Sequence, residues 1–247
     1  REGWRDNVRN FSRGIVREGL PARSITRDLE WGVPVPLEEA KDKVLYVWFD
    51  APIGYISFTR EMFRARGQEN EWRSWWSDED VEIVHFLGKD NIIFHAVIWP
   101  SMLLGHGDFR LPTSIPANEY LNFKGEKFSK SKGVGVTAQQ ILEQFDADRV
   151  RYYLTAIAPE GKDSSFTWED FIQRNNDELS DVVGNFAHRV LTFTVKNFET
   201  KVPAGVESSP FLEEVLSVVS EAREQWSKSF DRQRFREALD RVVTLAR

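Results

Sequence analysis

The chain contains no cysteine. That excludes a disulfide framework and any thiolate-ligated zinc site within it. Histidine is almost as scarce, with four widely spread residues, so no metal site is expected here. No apolar run approaches the roughly 20 residues that a membrane-spanning helix needs, and no signal-type segment opens the sequence. A soluble, cytoplasmic protein without a membrane partner is the expectation. Positive charge is also in deficit: 33 Lys and Arg stand against 39 Asp and Glu, a net charge of -6. The balance argues against indiscriminate nucleic-acid binding and leaves local patches to decide. Aromatic residues are plentiful, with nine Trp and eighteen Phe, which fits packed cores rather than disorder. The sequence opens at Arg1 inside a helical pattern and ends on "REALDRVVTLAR" with the pattern still running. A piece of a longer protein is therefore expected.

Arg1, Arg5, Arg9, Arg13 and Arg17 recur at four-residue spacing, on one slowly drifting helical face. That face is either solvated or an RNA-backbone contact, with Val8, Phe11, Ile15 and Leu20 opposite. "SITRDLEWGVPVP" follows, an extended loop forced by Gly32, Pro34 and Pro36. Strands and helices then alternate. Residues 43–50, 81–88 and 119–123 read as strands, and 52–67 and 91–105 as helices, the first closed by Gly67 and the second kinked at Pro100. The alternation predicts an α/β parallel sheet with helical crossovers. From residue 135 onward the periodicity is helical and predicts a small bundle.

Three polar clusters each follow a predicted strand: "FDAP", "GKDN" and "KGEKFSKSKG". In open parallel sheets ligands bind beyond the carboxyl ends of the strands, so the clusters are expected to converge on one crevice. The last concentrates Lys124, Lys127, Lys130 and Lys132 between Gly125 and Gly133. Such a stretch is a solvated loop, a basic targeting cluster or a mobile arm that handles phosphates.

"KFSKS" (127–131) resembles the Lys-Met-Ser-Lys-Ser signature of class I aminoacyl-tRNA synthetases, with Phe128 in the Met position. "YVWFDAPIGY" (46–55), "GKDNIIFH" (88–95) and "TRDLEWG" (26–32) resemble the methionyl-tRNA synthetase family within that class. The resemblance covers nearly the whole chain. It departs in two places: no His-Ile-Gly-His motif occurs, and the family's inserted zinc-knuckle domain is missing. The resemblance thus implies the C-terminal half of a Rossmann-like catalytic domain (1–125). A signature loop and linking, stem-contact module (126–170) and a partial helical anticodon-binding domain (171–247) would follow.

The resemblance also implies a chemistry. Methionine and ATP give methionyl-adenylate, whose aminoacyl group passes to tRNA(Met), with Mg2+ accompanying the ATP. Lys127 and Lys130 would meet the departing pyrophosphate, and Arg27 would assist activation, with a surface salt bridge as the plainer reading for Arg27 and Asp28. Trp48, Ala51, Pro52, Tyr55 and His95 would line the methionine pocket, where a polarisable thioether gains from aromatic contact. Gly88, Lys89 and Asp90 would contact ATP together with Lys130. In "NNDELSDVVGNFAHR", Asn185 and Arg189 lie four apart on one face and would read anticodon bases. They sit off an apolar stripe of Val182, Val183, Phe186 and Val190, with helix capping or a salt bridge as the alternative. Two other readings stand beside this one: an RNA-binding or assembly module without catalysis, and a class I ligase for another apolar amino acid.

Overall fold

Helix α1 (Asp6–Glu18) shows how the arginine spacing is used. Arg5, just ahead of the helix, is buried. Its Nη1 donates to Ala117 O at 3.2 Å and to Asn118 Oδ1 at 2.8 Å. Trp4 Nε1 donates to Thr113 O at 3.0 Å. Val8 is wholly buried and packs with Ile92, Ile115 and Ala117. Arg5 is therefore an internal clamp, not part of a solvated or RNA-facing row, while Arg13 and Arg17 are exposed. The computed structural model describes residues 4–129, 131–203, 205 and 208–247. They fall into two units, Arg1–Asn118 and Glu119–Arg247, a division that comes ahead of the 125/126 boundary read from the sequence.

In the first unit β1 (Thr26–Arg27) pairs antiparallel with β2 (Val44–Leu45), Thr26 opposite Leu45. The strand expected over 43–50 ends there, and Val47–Asp50 form the single-turn helix α2. Packing explains the change: Trp48 stacks on Phe94 with centroids 4.6 Å apart, and Tyr46 meets the same ring edge-on at 6.4 Å. Such tertiary contacts outweigh β-propensity. Pro52 then enters α3 (Ile53–Ala65) at its N-cap, where a missing N–H costs nothing. Gly67, at φ +71°, closes the helix region as expected. Helix α4 (Ser74–Ser77) follows. Trp76, Ile83, Trp99 and Leu103 form the core beneath.

Strand β3 (Leu87–Gly88) pairs in parallel with β4 (Ala117–Asn118), and the bridge Val84–Ser114 extends the register backwards. Between them lies α5 (Trp99–His106), preceded by the π-wound turn Phe94–Ile98. In place of the single kinked helix expected, Pro100 stands in the first turn of α5, after the π-wound turn. Proline cannot donate to the carbonyl four residues back, and the change of winding sits just ahead of it.

The second unit begins with the hairpin of β5 (Leu121–Phe123) and β6 (Glu126–Lys127). Lys124 and Gly125 both have positive φ, 50° and 84°, as a primed two-residue turn requires. Helices α6 (Ala138–Leu142) and α7 (Ala147–Ala156) lead to β7 (Ser164–Phe166), which pairs in parallel with β5. The third expected strand thus joins β7 and β6, not the strand over 81–88. The parallel pairs lie in separate small sheets, where the sequence pattern had suggested one. Leu121 and Phe123 pack against a core of Tyr153, Phe166 and Phe171, and this core holds β5 in its own sheet. The α/β character followed by helices stands. Helix α8 (Trp168–Arg174), a π-wound segment (Asn175–Gly184), α9 (Asn185–Asn197), α10 (Pro210–Asp231) and α11 (Phe235–Ala246) complete the unit.

Candidate active site

The one-turn helix α2 and the start of α3 carry four of the five residues expected to line an amino-acid pocket: Trp48, Ala51, Pro52 and Tyr55. The fifth, His95, comes from the π-wound turn. Tyr55 Oη lies 2.9 Å from His95 Nε2, and His95 Nδ1 lies 3.0 Å from the carbonyl of Asn91. A carbonyl only accepts, so Nδ1 carries the proton. Burial lowers the His95 pKa, against the opposing pull of the Asn91 carbonyl. The neutral ring therefore accepts at Nε2 from the Tyr55 hydroxyl. Burial also raises the Tyr55 pKa, so the phenol keeps its proton. Trp48, stacked on Phe94 beside His95, is half-buried; Pro52 is fully buried and Ala51 exposed. These contacts join Trp48, Tyr55 and His95 into one aromatic, largely apolar wall with a single polar pair.

Arg27 reaches the same wall. Its guanidinium lies 3.8 Å from the centroid of Tyr46, and Nη1 donates to Thr26 O at 2.7 Å and Ser24 O at 3.2 Å. Asp28 is paired with Lys43. Gly88 ends β3, and Lys89–Asn91 form a single 3₁₀ turn leading to His95. Gly88 has φ -86° and open space where a Cβ would stand. The fold itself does not demand glycine there, and the open space leaves room for a ligand to approach. Lys89 is half-buried and Asp90 exposed.

In the second unit Lys127 is exposed on β6, its Nζ 4.8 Å from the Tyr120 ring centroid. Ser129 and Val134 exchange backbone hydrogen bonds of 2.9 and 3.0 Å, which close the base of the signature loop. Lys130 lies outside the described residues. Asn185 and Arg189 are exposed on α9 and both line a shallow pocket of about 320 Å³ with Asp181, Phe186 and Val190. The expected apolar stripe is not packed away, since Phe186 is 54% and Val190 50% exposed. The π-winding of Asn175–Gly184 shifts the phase of the stripe on the way to α9.

Sequence reasoning missed three members of the first site. Phe94, the ring on which Trp48 stacks, was signalled only by its place next to His95. His85 is buried 5.2 Å from His95 and 5.0 Å from Tyr55, centroid to centroid. Burial, joined by the repulsion that His95 would exert if both rings were protonated, pushes its pKa down to about 4. Asp50 buries Oδ1 without a hydrogen-bond partner among the described residues, a costly state that suits a group awaiting a cationic or hydroxyl partner. Its place in "FDAP", just after Trp48, was the available signal.

Residues 1–191 match a family model described as tRNA synthetases class I (M). The methionine–tRNA ligase of Thermococcus kodakarensis is 46% identical over 258 aligned positions, covering 99% of this chain and 35% of that protein. The methionine–tRNA ligase of Bacteroides fragilis is 46% identical over 246 positions, covering 99% of this chain and 36% of that protein. Among solved structures, the Mycobacterium tuberculosis methionyl-tRNA synthetase in complex with methionyl-adenylate superposes with a TM-score of 0.83 at 34% identity. It matches 98% of this chain, and 46% of that chain is covered. The chain thus spans about a third of the length of its curated relatives. On the strength of the family match and of identities of this size along nearly its whole length, the chain belongs to the class I methionyl-tRNA synthetase family.

Proposed function

We propose that this chain is the C-terminal catalytic half, the linking module and part of the anticodon bundle of a cytoplasmic methionine–tRNA ligase. The domain boundaries are those of residues 1–125, 126–170 and 171–247. The reading is carried by the neutral Tyr55–His95 pair set against the stacked Trp48 and Phe94. A thioether gains from aromatic neighbours, and a polar pair beside the sulfur discriminates against a leucine-like competitor that size alone admits. Trp48, Ala51, Pro52, Tyr55 and His95 would hold the methionine side chain.

In the reaction the methionine carboxylate oxygen bonds to the α-phosphorus of ATP. The bond from that phosphorus to the bridging oxygen of pyrophosphate breaks, and pyrophosphate leaves with the electron pair. The terminal ribose hydroxyl of tRNA(Met) then attacks the activated carbonyl, and AMP leaves. Mg2+ travels with the nucleotide as part of the substrate. No protein nucleophile is needed, so positioning and charge stabilisation do the catalysis. Gly88, Lys89 and Asp90 would receive the nucleotide. Arg27 would steady the substrate carboxylate or α-phosphate, and Lys127 and Lys130 would neutralise the departing pyrophosphate. Asn185 and Arg189 would contact anticodon bases of tRNA(Met).

The test is methionine-dependent exchange of pyrophosphate into ATP by the intact ligase. Tyr55→Phe removes the hydroxyl and keeps the ring. It is expected to raise the methionine KM about tenfold, the worth of one part-buried hydrogen bond at the upper end of its range, and to leave the ATP KM unchanged. An unaltered methionine KM, or exchange driven better by another amino acid, would overturn the assignment.

A further inference from the structure

The signature loop has a feature that its lysines do not explain. The backbone pairing of Ser129 with Val134 places Phe128 opposite Gly135 across the strands. Gly135 has φ +132°, and a Cβ there would lie 2.4 Å from Cδ1 and 2.8 Å from Cε1 of Phe128. Real Cβ atoms do not tolerate such contact, so the ring occupies the volume that any other residue's side chain would claim. The same ring meets Phe123 with centroids 5.6 Å apart. It also borders an apolar pocket of about 270 Å³ lined by Leu121, Val136, Ile141 and Leu142. An aromatic ring flanked by Lys127 and Ser129, 43% exposed, thus rests one side on the body of the unit and leaves the other to solvent.

We propose that Phe128 and Gly135 form a latch that fixes the base of the signature loop. Phe128 is a positioning residue, and Gly135 is the residue type that lets it seat. The latch rests on the reading of this loop as the phosphate-handling arm. Lys127 is held in β6 opposite Asn122, and the latch carries that hold one residue further, to the point from which the rest of the loop departs. With the ring unseated, the segment beyond β6 is held by the backbone pair Ser129–Val134 without the side-chain anchor, and the loop beyond it samples more geometries. Rate in such chemistry comes from positioning, so the loss falls on turnover rather than on methionine binding.

The experiment compares wild type with Phe128→Ala, Phe128→Met, Gly135→Ala and the double variant Phe128→Ala/Gly135→Ala in the intact ligase. Pyrophosphate exchange is expected to show kcat about tenfold lower for Phe128→Ala with the methionine KM unchanged, a misplacement effect. Phe128→Met, which refills the cradle with a flexible apolar side chain, restores most of the rate. The double variant is expected to lose less than the product of the two single losses, because removing the ring removes the clash at Gly135 and leaves only the backbone strain of its φ of +132°. A second readout does not depend on activity. Brief trypsin treatment, followed by mass spectrometry of peptides ending at Lys127, Lys130 and Lys132, should show cleavage about tenfold faster in Phe128→Ala. Cleavage no faster than wild type, strictly multiplicative losses, or a kcat that is unchanged or raised would each overturn the latch. Absence of methionine-dependent exchange in wild type would instead overturn the proposed function, leaving the proteolysis to decide the latch.

Discussion

His85 and His95 are the residues whose chemistry depends most on their setting. Both rings are buried, and burial lowers both pKa values, His85 to about 4. A histidine held neutral in the fold and free to protonate in the unfolded chain stabilises the protein fully above its unfolded pKa of about 6.5. That contribution is lost as pH falls from there toward the folded pKa. The thermal midpoint of the intact protein is therefore expected to drop between about pH 6.5 and 4, and His85→Asn is expected to flatten the slope. A midpoint that stays level across this window, or falls as steeply in His85→Asn, would contradict the argument. At this scale the sequence was informative in proportion to the specificity of its motifs. That Trp48, Tyr55 and His95 would come together was legible from "YVWFDAPIGY" and "GKDNIIFH". His85 and Phe94 were not, because an imidazole or a phenyl ring inside an apolar run reads as core until its neighbours are known.

At the level of elements, helices were easier to read than strands. Helix α3 and its Gly67 closure follow from periodicity and one turn residue. The strand over 43–50 failed because β-branched and aromatic residues report half-buried surface rather than backbone shape, and α2 satisfies the same burial by stacking Trp48 on Phe94. Strand partners were beyond reach. Nothing local says that β5 pairs with β7, some forty residues later, because the sheet is chosen by the shared core around Phe166. Helix α9 carries the functional expectation for this scale. Arg189 and Asn185 are exposed on it and share one pocket. Arg189→Ala is expected to raise the KM for tRNA(Met) in aminoacylation about fivefold to a hundredfold, the roughly 1–3 kcal/mol of an arginine base contact. Methionine activation should be unaffected. Unaltered charging at limiting tRNA would return Arg189 to a solvated face.

For the molecule as a whole, the share of its relatives that the chain spans sets the expectation. Residues 1–247 contain no His-Ile-Gly-His motif, and they correspond to about a third of the curated ligases. By themselves they are expected to show no methionine-dependent pyrophosphate exchange, since part of a positioned site forfeits most of the rate. Robust exchange by these residues alone would show that the rest is dispensable. The exposed apolar faces of α9 and α10, with Phe193 61% and Phe211 75% accessible, also predict self-association of that piece as its concentration rises. The π-wound segment Asn175–Gly184 has a reach of its own. Every helical residue turns the chain by about 100°, from 3.6 residues per turn, and a π-wound stretch is where that angular count is reset. It acts as a gear between α8, which is anchored in the core, and α9, which is not. Deleting one residue there would swing Asn185 and Arg189 through more than a quarter of a revolution without touching either, so the direction in which these two residues point is set in the segment that precedes them.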